Sequence, residues 1–370
     1  MIFSPPPLTI TKVLAAFRDI GAMEGTKSNE RKRATIKKLL VASREMEAGY
    51  IIRSLQGKLR IGLAQQTVLT ALAMACLMHE EAASGGAGEG QLADRLERAT
   101  ATVKQVYSEC PSYDQLIPAL VAHGVEKLPE TCHFVVGVPI KPMLAKPTTG
   151  VSEVLTRFSD TEFSCEYKYD GERAQVHLLP DGSVRVFSRN SEDNTGKFPD
   201  VIAFLPQCMA AGVTSCVLDC EAVAYDRVEK KILPFQVLST RSRKLTVMED
   251  IKVQVCLFAF DCLYLNGEVL LQKTLVERRA ALKSCLVEVE GKLVMAQERT
   301  SRDVEELQTF LEDSIKEGTE GLIVKALDTT YEPSKRSLNW LKLKKDYMDG
   351  VGDSLDLVVI GGYHGRGKRA

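Results

Sequence analysis

The chain has no run of uncharged apolar residues long enough to cross a bilayer, and Met1 to Ile10 carry three prolines and no basic start. Neither a membrane span nor a signal peptide is expected. It has no C-x-x-C pair. Its ten cysteines, at 76, 110, 132, 165, 208, 216, 220, 256, 262 and 285, are scattered and sit mostly inside apolar stretches. That usage fits reduced, buried thiols in an intracellular protein and argues against structural zinc. Net charge is almost absent as well, at −1, which taken whole argues against a nucleic-acid partner. The average conceals a cluster, because Lys27 to Arg60 hold ten Lys or Arg against three Glu. Clustering, and not the sum, is what meets phosphates.

With 370 residues the chain has length for two or three domains, each with its own core. Apolar residues recur at helical spacing in Val13-Leu14-Phe17-Ile20, Ile36-Leu39-Leu40 and Val68-Leu69-Leu72-Ala73-Cys76, which predicts helices over 8–127, with a Gly- and Ala-rich break at 82–90. After Pro139 the period changes. Short or alternating apolar runs predict strands at 174–179, 217–225, 232–238, 253–265, 321–327 and 339–344, and Pro180-Asp181-Gly182 marks a hairpin. Helices are expected at 196–211, 275–286 and 301–317, and a further strand at 355–360. The fold class is an all-α portion followed by an α+β domain, antiparallel in character.

Residues 166–173 read Glu-Tyr-Lys-Tyr-Asp-Gly-Glu-Arg. Residues of high β-propensity lead into Lys168, and Asp170-Gly171 supplies a turn, so the lysine stands at the mouth of a strand pair. The K-x-D-G-x-R pattern alone also suits a solvated surface hairpin. For Lys168 to act as a nucleophile its amine must be neutral, which nearby positive charge, Arg173 among the candidates, would favour.

The spacing and flanks of this stretch resemble motif I of the covalent nucleotidyltransferases, which comprise ATP-dependent DNA ligases, RNA ligases and messenger-RNA capping enzymes. Further segments follow at 187–200 (Phe-Ser-Arg-Asn-Ser-Glu-Asp-Asn-Thr-Gly-Lys-Phe-Pro-Asp), 218–224 (Leu-Asp-Cys-Glu-Ala-Val-Ala), 258–267 (Phe-Ala-Phe-Asp-Cys-Leu-Tyr-Leu-Asn-Gly), 320–325 (Glu-Gly-Leu-Ile-Val-Lys) and 340–346 (Trp-Leu-Lys-Leu-Lys-Lys-Asp). In order and spacing these are similar to motifs Ia, III, IIIa, IV and V of eukaryotic ATP-dependent DNA ligases of the replicative, DNA ligase I type, from about Pro5 to the last residue.

The resemblance implies three parts. Residues 1–139 are the C-terminal part of a helical DNA-binding domain, 140–346 an adenylation domain of nucleotidyltransferase, ATP-grasp-like fold, and 347–370 the start of an OB-fold whose remainder, with motif VI, lies outside the chain. It implies ATP and Mg²⁺ as cofactors, nicked duplex DNA as partner, a sliding clamp reached through regions beyond this chain, a monomer, no membrane and a nuclear location. Lys168 would take AMP onto its amine. Glu166 would accept from the adenine amino group, and Phe260, which by spacing alone suits a core aromatic like Phe258, would stack on the base. Arg173 would contact ribose or nick phosphate and Arg189 the AMP phosphate. Glu221, a carboxylate in an apolar strand that needs a partner, and Glu320 would serve Mg²⁺, Glu221 also the ribose. Lys325, Lys342 and Lys344 complete the cations, and the i, i+2 spacing of the last two puts them on one face of a strand. For the duplex, Arg53, Lys58 and Arg60 lie in a glycine-bearing link between helices. Phe235 and the run Arg241, Arg243, Lys244 stand where the family places a wedge and backbone contacts.

Two other readings stay open on sequence grounds: an RNA ligase or capping-type nucleotidyltransferase, and a DNA-binding ligase fragment that does not seal. The helical portion with its Gly-Lys-Leu-Arg link and the Glu-Asp-Asn-Thr-Gly segment argue against the first. The intact series of motifs from I to V argues against a decayed pseudoenzyme, whereas the absence of most of the OB-fold leaves the second open and predicts very weak sealing by this chain alone.

Overall fold

The computed structural model describes residues 5–23, 25–84, 89–148, 150–241, 248, 251–344 and 361. The expected strand at 355–360, with the onset of an OB-fold, and the pair Arg243 and Lys244 lie outside the described residues. The chain divides into two compact units, Met1–Leu72 and Ala73–Ala370.

In the first unit, α1 (Ile10–Ala22), α2 (Ser28–Ala42) and α3 (Glu47–Leu55) precede the opening turns of α4 (Gln65–Ser84). Thr9 caps α1 by accepting from the Lys12 N–H at 3.3 Å. Gly57, at φ 66°, ends α3, and the Lys58 N–H then donates back to the Arg53 carbonyl at 3.0 Å. Leu39, Ile51 and Leu69 turn inward, whereas Arg33, Lys37 and Lys38 of α2 are exposed.

In the second unit, α5 (Glu89–Glu109), α6 (Tyr113–His123) and α7 (Leu128–Thr131) complete the helical part, and two sheets follow. The first consists of β1 (Leu144–Thr148), β2 (Phe163–Lys168), β10 (Glu298–Arg299), β11 (Gly321–Ala326) and β12 (Arg336–Lys344), in the order β1-β12-β11-β2-β10. The second has β3 (Glu172–Leu178), β4 (Val184–Ser188), β5 (Cys216–Asp226), β7 (Val255–Leu265) and β8 (Glu268–Val269) in the order β4-β3-β5-β7-β8. In that sheet β6 (Lys231–Ile232) adds to β5 and β9 (Leu293–Met295) to β7. Among the described strands, pairing is antiparallel except at β1–β12 and β7–β9.

Five helices cover the sheets: α8 (Val151–Arg157), α9 (Pro199–Phe204), α10 (Phe235–Ser239), α11 (Leu275–Cys285) and α12 (Val304–Lys316). Two expected elements differ. The strand expected at 232–238 stops at Ile232, because Pro234 offers no N–H to a ladder and the chain turns helical, the Val237 N–H donating to the Pro234 carbonyl. The helix expected at 196–211 breaks at Pro199 and Pro206 into a 3-10 turn, the short α9 and a second 3-10 turn. All ten cysteines are unbridged and nine are buried. Among the described residues no helix is long and apolar enough to cross a membrane.

The division between units falls inside the helical region, and α5 and the segment after it are bonded toward the sheets. The Lys141 N–H donates to the Ser108 carbonyl at 2.9 Å, and the Ile140 N–H to Gln175 Oε1 at 2.7 Å. His177 is the buried hub of this seam. Its Nδ1 accepts from the Gly137 N–H at 3.0 Å, which makes Nε2 the protonated nitrogen, 2.9 Å from Gln175 Oε1. Burial, with Arg185 adding, pushes the imidazole down to about 3.

The folded chain therefore refuses a proton that the unfolded chain accepts below its ordinary value. The stabilisation is complete above about 6.5 and is lost as pH falls toward 3, at about 1.4 kcal/mol per pH unit. Urea unfolding at pH 7 and pH 5 is expected to show the wild type losing about 2 kcal/mol more than His177→Gln over that interval. Equal losses would place the acid sensitivity elsewhere.

Candidate active site

The alternation of the strands builds one pocket. On β2, Phe163, Cys165 and Tyr167 enter a core with Leu307, Phe310 and Leu311 of α12, and Leu322, Val324, Leu341 and Leu343 join them. That arrangement leaves Glu166 and Lys168, Ile323 and Lys325, and Lys342 and Lys344 on the opposite face. On β5, Leu218, Cys220 and Ala222 enter the other core, which turns Asp219 and Glu221 away from it. The two polar faces line a cavity of about 580 Å³, with Lys168, Arg189, Glu221, Phe260, Glu320 and Trp340 in its wall. A cavity of this volume suits a mononucleotide.

Two glycines allow the strands to close on Lys168. Gly321 pairs with Lys168 on one side and Lys344 on the other, at φ 136°, and a Cβ there would collide with the Leu343 carbonyl. Gly171 lies so near β5 that a Cβ would meet the Ala222 carbonyl and crowd Glu221. As a result Lys168 Nζ stands 2.7 Å from Glu320 Oε1, and Lys344 pairs with the other oxygen of the same carboxylate. Burial works against the Glu320 charge, but the two lysines outweigh it and hold the carboxyl below its ordinary range. Asp170 is pushed up by burial and then by Glu320. Glu221 is pushed up to about 8 by burial, against the pull of Lys168 and Arg173.

At the other end of the pocket the charges are more fully enclosed. Glu166, 3% exposed, pairs through Oε2 with Lys325 at 2.6 Å and through Oε1 with Arg279. Burial opposes its ionisation, and the two cations overcome that and hold the carboxyl down. Lys325 Nζ also lies over the rings of Phe260 at 4.5 Å and Trp340 at 4.3 Å. Lys325 thus sits with the aromatic residues, away from the cluster formed by Lys168 and Lys344, where the sequence reading had grouped it.

Phe260 owes its place to a bulge. In the β5–β7 ladder Asp219 faces Asp261 and Cys220 faces Ala259, which leaves Phe260 without a cross-strand partner. Phe258, of the same parity, is 7% exposed and stacks on Tyr169 with centroids 3.9 Å apart.

Arg173 differs from expectation in one respect. Its guanidinium bonds Asp219 from Nε at 2.9 Å and from Nη2, the Met143 carbonyl from Nη1 at 2.7 Å and the Tyr331 hydroxyl at 3.2 Å. Asp219 matches its charge, whereas Lys344 shares the carboxylate of Glu320 with Lys168. Arg189 is exposed on the turn after β4 and lines the pocket.

A second correction concerns Arg241. Its side chain is 1% exposed, pairs with Asp200 and donates to the carbonyls of Lys197 and Val253, so it holds α9 and α10 together and is closed to a phosphate. Phe235 opens α10 and is partly buried on the inner core. Arg53 ends α3 with its guanidinium 5.6 Å from the Tyr50 ring, and Lys58 and Arg60 are exposed in the link after it, Arg60 at φ 54°.

Sequence reasoning passed over Arg279, Asp219 and Tyr331. A buried arginine in an otherwise ordinary helix gives no local signal, although the doublet Arg278-Arg279 beside the apolar positions of α11 was available. Trp340 lay inside a quoted motif without being assigned a part, and it is the chain's single tryptophan.

The family described as ATP dependent DNA ligase domain matches residues 142–344, and the one described as DNA ligase N terminus matches 1–73, close to the bounds of the first unit. DNA ligase 1 of Arabidopsis thaliana is 53% identical, the match taking in 100% of this chain and 47% of that protein. DNA ligase 1 of Dictyostelium discoideum is 48% identical, over 99% of this chain and 32% of that protein. The chain spans half or less of the length of these curated relatives. Among solved structures, mycobacterial DNA ligase D complexed with ATP and MES is 28% identical with a TM-score of 0.43, over 55% of this chain and 59% of that one. A ligase-domain match that extends over more than half of the chain shows that the protein belongs to the ATP-dependent DNA ligase family.

Proposed function

We propose that the protein carries the nucleotidyl-transfer and DNA-contact parts of an ATP-dependent DNA ligase that seals nicks through a Lys168–AMP intermediate. The observation that carries this reading is the pairing of Lys168 and Lys344 on one carboxylate, Glu320, in a pocket of nucleotide size. Lys168 Nζ attacks the α-phosphorus of ATP, the bond to the bridging oxygen breaks, pyrophosphate leaves and the lysine sheds a proton to give the phosphoramidate. AMP then passes to the 5′-phosphate at a nick, and the 3′-hydroxyl displaces it to form the phosphodiester.

Lys342, Lys344 and Arg189 meet the phosphates. Phe260 and Trp340 flank the base, Glu166 accepts from its amino group, Glu221 meets the ribose, and Arg173 braces the ribose side while held by Asp219. Residues 1–139, 140–346 and 347–370 are taken as helical DNA-binding, adenylation and OB-fold portions.

Among the described residues no three His, Cys, Asp or Glu gather as a ready-made metal cluster. Mg²⁺ needs fewer, since it commonly uses one or two carboxylates with substrate phosphates and water. Glu221 fits that need because a carboxyl raised by burial is relieved by a cation beside it, and Glu320 because its two lysines keep it ionised. When bound, the ion would offset phosphate charge.

Incubation with labelled ATP and Mg²⁺ is expected to leave acid-labile AMP on the wild type, none on Lys168→Ala, and none on Lys168→Arg, whose guanidinium stays protonated. Label retained on Lys168→Ala would remove the assignment.

Glu221→Gln mimics the protonated form that burial favours, so its folding should be little changed at neutral pH while labelling falls by about tenfold or more. The folded wild type keeps a proton that the unfolded chain releases above its ordinary value. That contribution is full below about 4.5 and is lost as pH rises through about 8. Thermal melts from pH 5 to 8 should therefore decline more for the wild type than for the variant.

Duplex binding is expected to be independent of sequence and to fall with salt at a slope of about −0.9 per phosphate neutralised. Replacing Lys58 and Arg60 together by Ala should flatten that slope by about 1 to 2, read by anisotropy across a salt series. An unchanged slope would remove this link from the DNA contact.

A further inference from the structure

Arg279 projects from α11 and is 9% exposed. It is absent from the wall of the cavity, yet it meets the group proposed to read the base. One guanidinium nitrogen, Nη2, bonds Glu166 and, at 3.1 Å, Ser164 Oγ, while Nη1 stands 2.6 Å from Glu298 Oε2. Glu298 is itself fixed, because β10 pairs with β2 and puts Glu298 directly opposite Glu166. Arg278, the preceding residue, is locked on Asp261 at 2.7 and 2.9 Å with both side chains fully buried. The helix that carries Arg279 is therefore pinned one residue away, so Arg279 reaches Glu166 from a rigid base.

We propose that Arg279 is a positioning residue that sets the choice of purine: by holding Glu166 from behind, it keeps that carboxylate in one orientation and as a pure acceptor. The proposal rests on the reading of Glu166 as the acceptor of the base amino group. An ionised carboxylate has no hydrogen to donate. Adenine presents an amino donor at its 6-position and is accepted, whereas guanine presents a carbonyl oxygen there, which faces the carboxylate without a hydrogen between them. A site built on a buried hydrogen bond rejects the analogue that cannot make it. The rejection holds only while Glu166 can neither rotate nor take up a proton. Without Arg279 the carboxyl keeps one cation, Lys325, in a closed site. It can then turn, or bind a proton and donate to the guanine oxygen.

The test compares wild type, Arg279→Gln, Arg279→Lys, Glu166→Gln and the Glu166→Gln/Arg279→Gln double variant. Covalent labelling is followed over a range of MgATP and MgGTP, with thermal melts as a check on folding. Binding is read separately in a Lys168→Ala background from the fluorescence of Trp340, the single tryptophan. Arg279→Gln is expected to cut the ATP-over-GTP preference by about tenfold or more, through a higher KM for ATP and a gain with GTP, with kcat for ATP changed by less than about threefold. Arg279→Lys keeps the charge but cannot span Ser164, Glu166 and Glu298, and should lose part of the preference. In the Glu166→Gln background, loss of Arg279 should change the preference no further.

Equal losses with both nucleotides at an unchanged preference would overturn the proposal, as would losses that multiply in the double variant. Should Arg279→Gln fail to fold, a fully retained preference in Arg279→Lys is enough to overturn it. Wild type that neither labels at Lys168 nor quenches with ATP would instead strike the ligase reading, so the two failures are distinguishable.

Discussion

Asp219 and Asp261 face each other across the β5–β7 ladder, both fully buried. Two like charges placed opposite in a sheet repel, and a buried carboxylate without a partner costs several kcal/mol. The pair is tolerated because each aspartate has its own arginine in fork geometry, Arg173 from β3 and Arg278 from α11. Tyr331 ties the two sets, donating to Asp219 at 2.9 Å, accepting from the Met143 N–H at 2.9 Å and lying beneath the Arg278 guanidinium. Removing one member strands a charge in the interior, so the strand entering the first sheet, the centre of the second and the loop before β12 are fixed together.

Much of the site follows from that knot. The ladder slips by one residue next to Asp261, and the residue displaced is Phe260. A bulge beside a buried ion pair is held in place more firmly than one in a free strand, because sliding it would separate the aspartates from their arginines. Arg173, two places along β3 from Gln175 and directly opposite Glu221 in the ladder, is spent on Asp219 and braces the pocket wall. The doublet on α11 extends the arrangement, for consecutive helical residues diverge by about 100° and so Arg278 serves the second sheet while Arg279 serves the first. One short helix thereby sets the distance between the two faces of the pocket.

The sequence made legible whatever depends on period. The change from helical to strand spacing after Pro139, the hairpin at Pro180-Asp181-Gly182 and the inward Leu341 and Leu343 beneath outward Lys342 and Lys344 were all readable, because the periods of 3.6 and 2 are imposed by backbone geometry. The place of Lys168 at the end of a strand was readable from its turn and flanks. What depends on long-range pairing was not. Arg241 sits in a basic run that reads as a surface stripe, and only Asp200, 41 residues away, shows that it is interior. Phe260 and Phe258 share a parity, and no local property of either distinguishes the stacked core ring from the pocket ring; the bulge does, and it is set by Asp219 on another strand. Glycine carried more information than its turn propensity suggested, since Gly171 and Gly321 matter for the backbone that would meet a Cβ.

The two ends of the pocket are built on opposite electrostatic principles. At Glu166 the charges are saturated: two cations compensate one buried carboxylate, which suits the uncharged base that the proposed reading puts there. At Lys168 the cations share a partner, since Glu320 is divided between Lys168 and Lys344 while Arg189 stays exposed at the rim. An anion entering at that end finds cations grouped around a shared and partly exposed carboxylate, and phosphate oxygens are well-matched acceptors for them. Exchange of Glu320 for phosphate around Lys168 would release the carboxylate just as it is needed to offset a new cation. The contact that holds this end of the pocket together is thus the one with which an entering phosphate would compete.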